Sequence, residues 1–156
     1  MSKLGHVFQI NVSSGGVPKQ GIHVTQITDS GLAEDRIGHP KKQARSDRAI
    51  CLYSLEKILE LQEEGHPIFP GSCGENITIT GIDWDKVQVG SKIKLGKDTL
   101  VEVTEFTKPC AMIMGSFKDG DIARISQAQH PGWSRVYAKV LSPGQVAIGD
   151  EVKIVS

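Results

Sequence analysis

Val87-Gln88-Val89-Gly90-Ser91-Lys92-Ile93-Lys94-Leu95 is matched near the end of the chain by Val146-Ala147-Ile148-Gly149-Asp150-Glu151-Val152-Lys153-Ile154, in apolar pattern, in the glycine and in the lysine. Each copy reads as a short strand, a glycine bend and a second strand with alternating faces. Between the copies lie two further strand patterns, Thr99 to Glu105 and Val136 to Leu141. Strands that bend at glycine and recur this densely favour a mainly β fold, a closed or nearly closed β-barrel with one or two short helices. Closure would also remove exposed sheet edges. The period is not repeated further, so the chain is no solenoid.

Working outward from this pair, Val7 to Val12 and Ile22 to Ile27 are rich in β-branched residues and read as strands on either side of a Ser-Gly-Pro loop. Residues 29–48 show neither helical nor strand period. They carry Arg36, His39, Lys41, Lys42, Arg45 and Arg48 against Glu34, Asp35 and Asp47 and read as a long, locally basic loop. Ala49 to Tyr53 is a short apolar strand. Ser54 is a good N-cap for a helix whose stripe is Leu55, Ile58, Leu59 and Leu61 and which Gly65 can close. Ile77 to Thr80 begins another strand, and residues 121–129 could form a short helix.

The chain has 156 residues, which suggests one domain over 1–156 able to bury roughly two-thirds of its unfolded surface. Its eighteen basic and eighteen acidic residues cancel, so no overall field recruits nucleic acid or an anionic membrane. Any anion site must be local. The three cysteines are an odd number with no close pairing, no apolar run reaches membrane-helix length, and the first residues do not read as a signal peptide. A reducing cytoplasm is the expected setting.

Two words carry chemistry. In Phe106-Thr107-Lys108-Pro109-Cys110, the proline lacks an amide hydrogen for the sheet ladder, so the strand should stop there and deliver Cys110 just past its end. That is a plausible posture for a soft ligand, though a free cysteine can equally be a small buried hydrophobe. The stretch after it, residues 111–134, should form a wall or lid. In Gly71-Ser72-Cys73-Gly74-Glu75-Asn76 the glycines permit tight turning or close approach, and Asn76 could offer its amide to an oxygen-rich or purine-like ligand or cap its own backbone. With no Cys-x-x-Cys, no spaced histidine pair and no carboxylate cluster, a zinc or calcium cage has little support. A single thiolate suits a soft metal whose other ligands come from a cofactor.

Taken together, Gly31 to Arg36, Asp47 to Ser54, Gly71 to Thr78, Lys108-Pro109-Cys110, Trp133 to Val140 and Ile148-Gly149-Asp150 resemble the MOSC domain, named for the C-terminal part of molybdenum cofactor sulfurases, in a short bacterial form. The resemblance implies a barrel like the one inserted in pyruvate kinase. It also implies that Cys110 ligates molybdenum of the pterin cofactor or carries sulfur as a persulfide. Arg36, His39, Arg48, Asn76 and Lys108 become candidates for holding the cofactor's phosphate and pterin. Cys73 could act as a resolving thiol, although core packing is the simpler role.

The function so implied is cofactor handling, maturation or sulfur transfer. The alternatives are a molybdenum-dependent reductase of N-hydroxylated substrates and a cofactorless interaction barrel. The length leaves no room for a pyridoxal phosphate desulfurase or an iron–sulfur domain, so a sulfur donor or electron-donor protein is the expected partner.

Overall fold

The computed structural model describes residues 4–13, 17, 19–35 and 46–156. Eleven strands and one α-helix are ordered along them. The strands are β1 (Gly5–Val12), β2 (Gln20–Ile22), β3 (Val24–Thr28), β4 (Gly31–Leu32), β5 (Ile50–Ser54), β6 (Ile77–Thr80), β7 (Lys92–Leu95), β8 (Thr99–Phe106), β9 (Val136–Ser142), β10 (Gly144–Ala147) and β11 (Glu151–Ile154), with α1 at Leu55–Glu63.

One sheet runs β11-β7-β8-β9-β5-β6-β1, and β11 then pairs back onto β1 at Gly5↔Val152 and His6↔Glu151, which closes a barrel of seven strands. β2 extends the sheet from β1, while β10, β3 and β4 make a small sheet of their own.

The barrel closes because each of its strands alternates. Val7, Ile10, Leu52, Ile77, Ile79, Ile93, Leu95, Val101, Val103, Val136, Ala138 and Val152 are all buried, and they come from all seven strands. Their side chains share one face and fill the interior, since directly opposed residues in a ladder lie on the same side. The other face is polar where water reaches it: Lys92 stands opposite Glu102, and Glu102 opposite Lys139. The two echoed segments meet directly, with Val152↔Leu95, Lys153↔Lys94 and Ile154↔Ile93 in register.

β5 and β6 run parallel, with Leu52 opposite Ile77, and a parallel pair requires a crossover, which α1 supplies. Ser54 caps the helix by accepting the Lys57 amide, and Gly65 follows its end at φ 100°.

Four sequence expectations are modified. The stretch from Ile22 to Ile27 is broken at His23, because β2 pairs with β1 whereas β3 pairs with β10 in the other sheet. Val87-Gln88-Val89 is not a strand. It follows a 3-10 turn at Trp84–Lys86, where the Val87 amide donates to the Trp84 carbonyl and Gln88 and Ser91 close a turn on each other. Residues 121–129 shorten to a 3-10 turn at Ile122–Ile125, with no capping hydrogen bond from Asp121. Within 29–48, Gly31–Leu32 pairs with β3 and Ser46–Arg48 is a 3-10 turn. Arg36, His39, Lys41, Lys42 and Arg45 lie outside the described residues.

Candidate functional site

Because interior and exterior positions alternate, the outward face of β5, β6 and β9 can be read from the register. Cys51 lies opposite Tyr137, and Tyr53 opposite Thr78. Leu52, opposite Val136, points into the barrel, so Cys51 and Tyr53 point out of it. Yet Cys51 and Tyr53 are buried, as are Thr78, Glu75, Asn76, Thr107 and Arg135. This part of the outer wall is therefore covered. Ile68, Cys73, Ile113, Phe117 and Ile125, from the segments before β6 and after β8, belong to the same buried cluster and form the cover.

Beneath the cover, polar groups are dense. The Asn76 side-chain oxygen accepts the Cys51 amide at 2.9 Å, and its amide nitrogen donates to Asp35 at 2.9 Å. Asp35 is in turn held by Lys19 at 2.8 Å and by the Ser13 amide at 2.9 Å. One Glu75 oxygen accepts from the Gly71 amide (2.9 Å) and the Thr78 hydroxyl (3.1 Å), while its other oxygen, Oε1, is buried without a hydrogen-bond partner. Burial pushes the Glu75 carboxyl above its ordinary range. Arg135 donates from Nη1 to the Cys73 carbonyl at 2.6 Å, while its Nε and Nη2 are buried without partners.

The strand end that bears Cys110 is tied to this layer. The last rung beyond β8 runs from the Thr107 amide to the Arg135 carbonyl at 2.9 Å, and the Ser134 hydroxyl donates to the Thr107 carbonyl at 3.2 Å. Thr107 Oγ1 lies 3.8 Å from the Cys51 sulfur. After Pro109 the ladder has ended. Cys110 is exposed, in extended conformation (φ −133°, ψ 167°), and opens the 3-10 turn Ala111–Ser116.

The segment beyond it is braced against α1. Arg124 grips Glu64 through two bonds of 2.8 and 2.7 Å, and Arg124 and Lys57 both lie over the Trp133 ring, 4.0 and 4.3 Å from its centre.

The residues read from the sequence are thus dispersed in role. Cys110 is the exposed thiol and Lys108 is exposed two residues before it. Asn76 is buried, and its amide is used to join Cys51 to Asp35. Arg48 is bound to Glu105 (2.5 and 3.2 Å) and lies 5.2 Å from the Tyr137 ring centre. Arg36 and His39 are outside the described residues. Cys73 is buried and its thiol is pushed up to about 12, first by burial and then by Glu75. Burial likewise raises Cys51. Sequence reasoning missed Arg135. Its only signal was an arginine immediately before an apolar strand, in step with the outward positions. Among the described residues, no group of three or more His, Cys, Asp or Glu side chains could hold a metal ion, and no helix is long and apolar enough to cross a membrane.

The arrangement defines a class: a seven-stranded barrel with a covered polar layer on its outer wall and a strand-end thiol beside it. The chain belongs to the MOSC domain family, whose model matches residues 22–153. It is 27% identical over 111 residues to the uncharacterized protein YflK of Bacillus subtilis. It is also 28% identical over 114 residues to a protein of Gibberella moniliformis named "Reductase". Each match uses 70% of this chain, which spans 49% of YflK and 20% of the reductase. Among solved structures, YiiM from Geobacillus stearothermophilus superposes with a TM-score of 0.74 at 25% identity, over 97% of this chain and 75% of YiiM.

Proposed function

We propose that this chain binds the molybdenum cofactor and acts in its handling, maturation or sulfur transfer, with Cys110 as the reacting thiol. The observation that carries the reading is the exposed Cys110, held at a strand end that is bonded through Thr107 to the layer containing Arg135. A soft thiolate suits molybdenum whose remaining ligands come from a pterin dithiolene, and a guanidinium whose Nε and Nη2 lack partners suits a phosphate. The residues present therefore fit the group. When bound, the cofactor supplies oxygen-atom and electron-transfer chemistry at its metal.

The chain's own residues do the rest. Pro109 ends the ladder and fixes where Cys110 leaves the barrel. The Arg124–Glu64 and Trp133 contacts hold the covering segment in place over the polar layer. Lys108, Asn76 and Arg48, with Arg36 and His39, are the further candidates for holding phosphate and pterin; the Asn76 oxygen and the Arg48 fork already serve Cys51 and Glu105. In sulfur transfer, the Cys110 thiolate would attack the outer sulfur of a donor protein's persulfide. A new S–S bond forms at Cys110 as the donor's breaks, and the donor leaves as thiolate. The three cysteines are free thiols, which suits a reducing, cytoplasmic setting.

A second reading, a molybdenum-dependent reductase of N-hydroxylated substrates supplied by a separate electron donor, is favoured by the relative named "Reductase".

The test is molybdenum and pterin content of protein purified from a cofactor-producing host, beside Cys110→Ser. Stoichiometric molybdenum lost in the variant supports the cofactor site, and turnover of an N-hydroxylated purine with an electron donor then selects the second reading. Metal retained equally by both proteins removes Cys110 from its role. Absence from both, under conditions that load a known binder, removes stable cofactor binding.

A further inference from the structure

Three buried or half-buried arginines in this chain show the same fork in different states. Arg48 places Nε and Nη2 on the two oxygens of Glu105, at 2.5 and 3.2 Å. Arg124 places the same two nitrogens on the two oxygens of Glu64, at 2.8 and 2.7 Å. In Arg135, Nη1 is bonded to the Cys73 carbonyl, and the Nε/Nη2 edge is buried and bonded to nothing.

A guanidinium cannot shed its proton, and a buried charge without a hydrogen-bonded counter-ion is costly. Arg135 is only 5% exposed, so bulk solvent scarcely reaches it. Glu75 is the carboxylate in its electrostatic range, but its Oε2 is committed to Gly71 and Thr78 and its Oε1 makes no bond to the guanidinium. The residues outside the described set contain no aspartate or glutamate: they are Met1, Ser2, Lys3, Ser14, Gly15, Gly16, Pro18 and residues 36–45, Arg-Ile-Gly-His-Pro-Lys-Lys-Gln-Ala-Arg. No further side-chain carboxylate of this chain remains to fill the fork.

We propose that the Nε/Nη2 edge of Arg135 is the oxyanion-binding element of the covered layer and takes two oxygens of a phosphate monoester. The proposal rests on the cofactor reading above for the source of that phosphate, but not for the site itself. The edge offers two parallel N–H donors, the geometry that grips a phosphate bidentately and that a lysine cannot reproduce. The site lies at the rung that leads to Cys110, with the Arg135 carbonyl accepting from Thr107. An anion seated there would be linked through one strand end to the thiol.

The experiment is calorimetric titration of inorganic phosphate into the purified full chain, with melting midpoints in phosphate and in chloride at matched ionic strength. The same measurements are made on Arg135→Gln, Arg135→Lys and Glu75→Gln. Wild type should bind one phosphate saturably and melt higher in its presence. Arg135→Gln should lose the response, Arg135→Lys should bind at least tenfold more weakly, and Glu75→Gln should keep binding.

A wild type indifferent to phosphate, or an Arg135→Gln that responds like wild type, would overturn the assignment. So would stronger binding of acetate than of phosphate, which would make the site one for carboxylates. If Arg135→Gln does not fold, Arg135→Lys decides the outcome. Molybdenum and pterin content, measured separately, distinguishes failure here from failure of the cofactor reading. Phosphate binding lost in Arg135→Gln with no pterin in any sample would sustain this site and sink that reading. Pterin retained through Cys110 with phosphate binding unaffected in Arg135→Gln would do the reverse.

Discussion

Asn76 and Cys51 are joined twice: the Cys51 amide donates to Asn76 Oδ1 at 2.9 Å, and the Asn76 amide donates to the Cys51 carbonyl at 2.7 Å. The second bond lies one residue beyond the parallel β5–β6 ladder, and the first uses a side chain to continue it. Asn76 Nδ2 then reaches Asp35. One side chain thus ties the base of the basic segment to the barrel. Asn76→Ala should leave the buried Cys51 amide without an acceptor and Asp35 without one of its donors, at a cost of about 1–3 kcal/mol. Urea denaturation would measure it. A loss well below 1 kcal/mol would show that the network rearranges around the gap.

Gly71 sits at φ 90°, and a Cβ placed there would lie 2.6 Å from the Lys19 carbonyl oxygen. The Lys19 amide also donates to the Gly71 carbonyl at 2.9 Å, so two backbone segments touch where no side chain fits. Gly90 has a similar φ of 94°, but a Cβ placed there would have nothing within 4 Å. Gly71→Ala should therefore destabilise by more than Gly90→Ala, which incurs only the left-handed strain of about 1–2 kcal/mol. Equal melting midpoints for the two variants would show that the segment at Lys19 yields without cost.

How far the sequence could be read follows from these contacts. The barrel was legible because Ile93, Leu95, Val101, Val103 and Val152 alternate with charged neighbours that face water. The α1 start was legible because Ser54 caps locally. Val87 to Val89 misled because Val87 is buried in one cluster with Trp84, whose indole donates to the Ser134 carbonyl at 3.0 Å, a contact 50 residues away in sequence, while Val89 is exposed. The burial of Arg135 was illegible for the same reason. Ser134-Arg135-Val136-Tyr137 alternates like any half-exposed strand, and nothing local says that Cys73, brought from a distant turn, covers the arginine. The position of Cys110 past a strand end was legible because Pro109 marks that end within the word itself.

Glu75 gives the layer a pH signature. Burial raises its folded-state pKa above the unfolded value, so the folded chain holds a proton that the unfolded chain releases. Stability is then unaffected by this group below the unfolded pKa of about 4.3 and falls as pH rises from there towards the folded pKa. Glu75→Gln keeps an oxygen for Gly71 and Thr78 while removing the ionisation. The variant should gain on wild type as pH rises from about 4 to 7. Denaturation curves at several pH values would check the sign. A variant that loses ground on wild type towards neutral pH would mean that the carboxylate is ionised in the fold and pairs with Arg135.

The three thiols should separate by access. Cys110 is exposed, whereas Cys51 and Cys73 are buried, and Cys73 is pushed up to about 12. The thiolate is the nucleophile, so a group held protonated and covered reacts only when the cover opens. A chromogenic disulfide reagent at about pH 7.5 should find one fast thiol in the native chain and three after unfolding. Cys110→Ser should remove the fast phase and leave the total at two. If Cys73 served Cys110 as a resolving thiol, mild oxidation would join the two and abolish the fast phase in wild type without alkylation. The burial of Cys73 and the bond from Arg135 to its carbonyl argue for the opposite result: oxidation should modify Cys110 alone, and Cys73→Ala should leave the reactivity of Cys110 unchanged. Two fast thiols in the native chain would show that the cover over Cys73 opens readily, and would return that residue to the chemistry of the site.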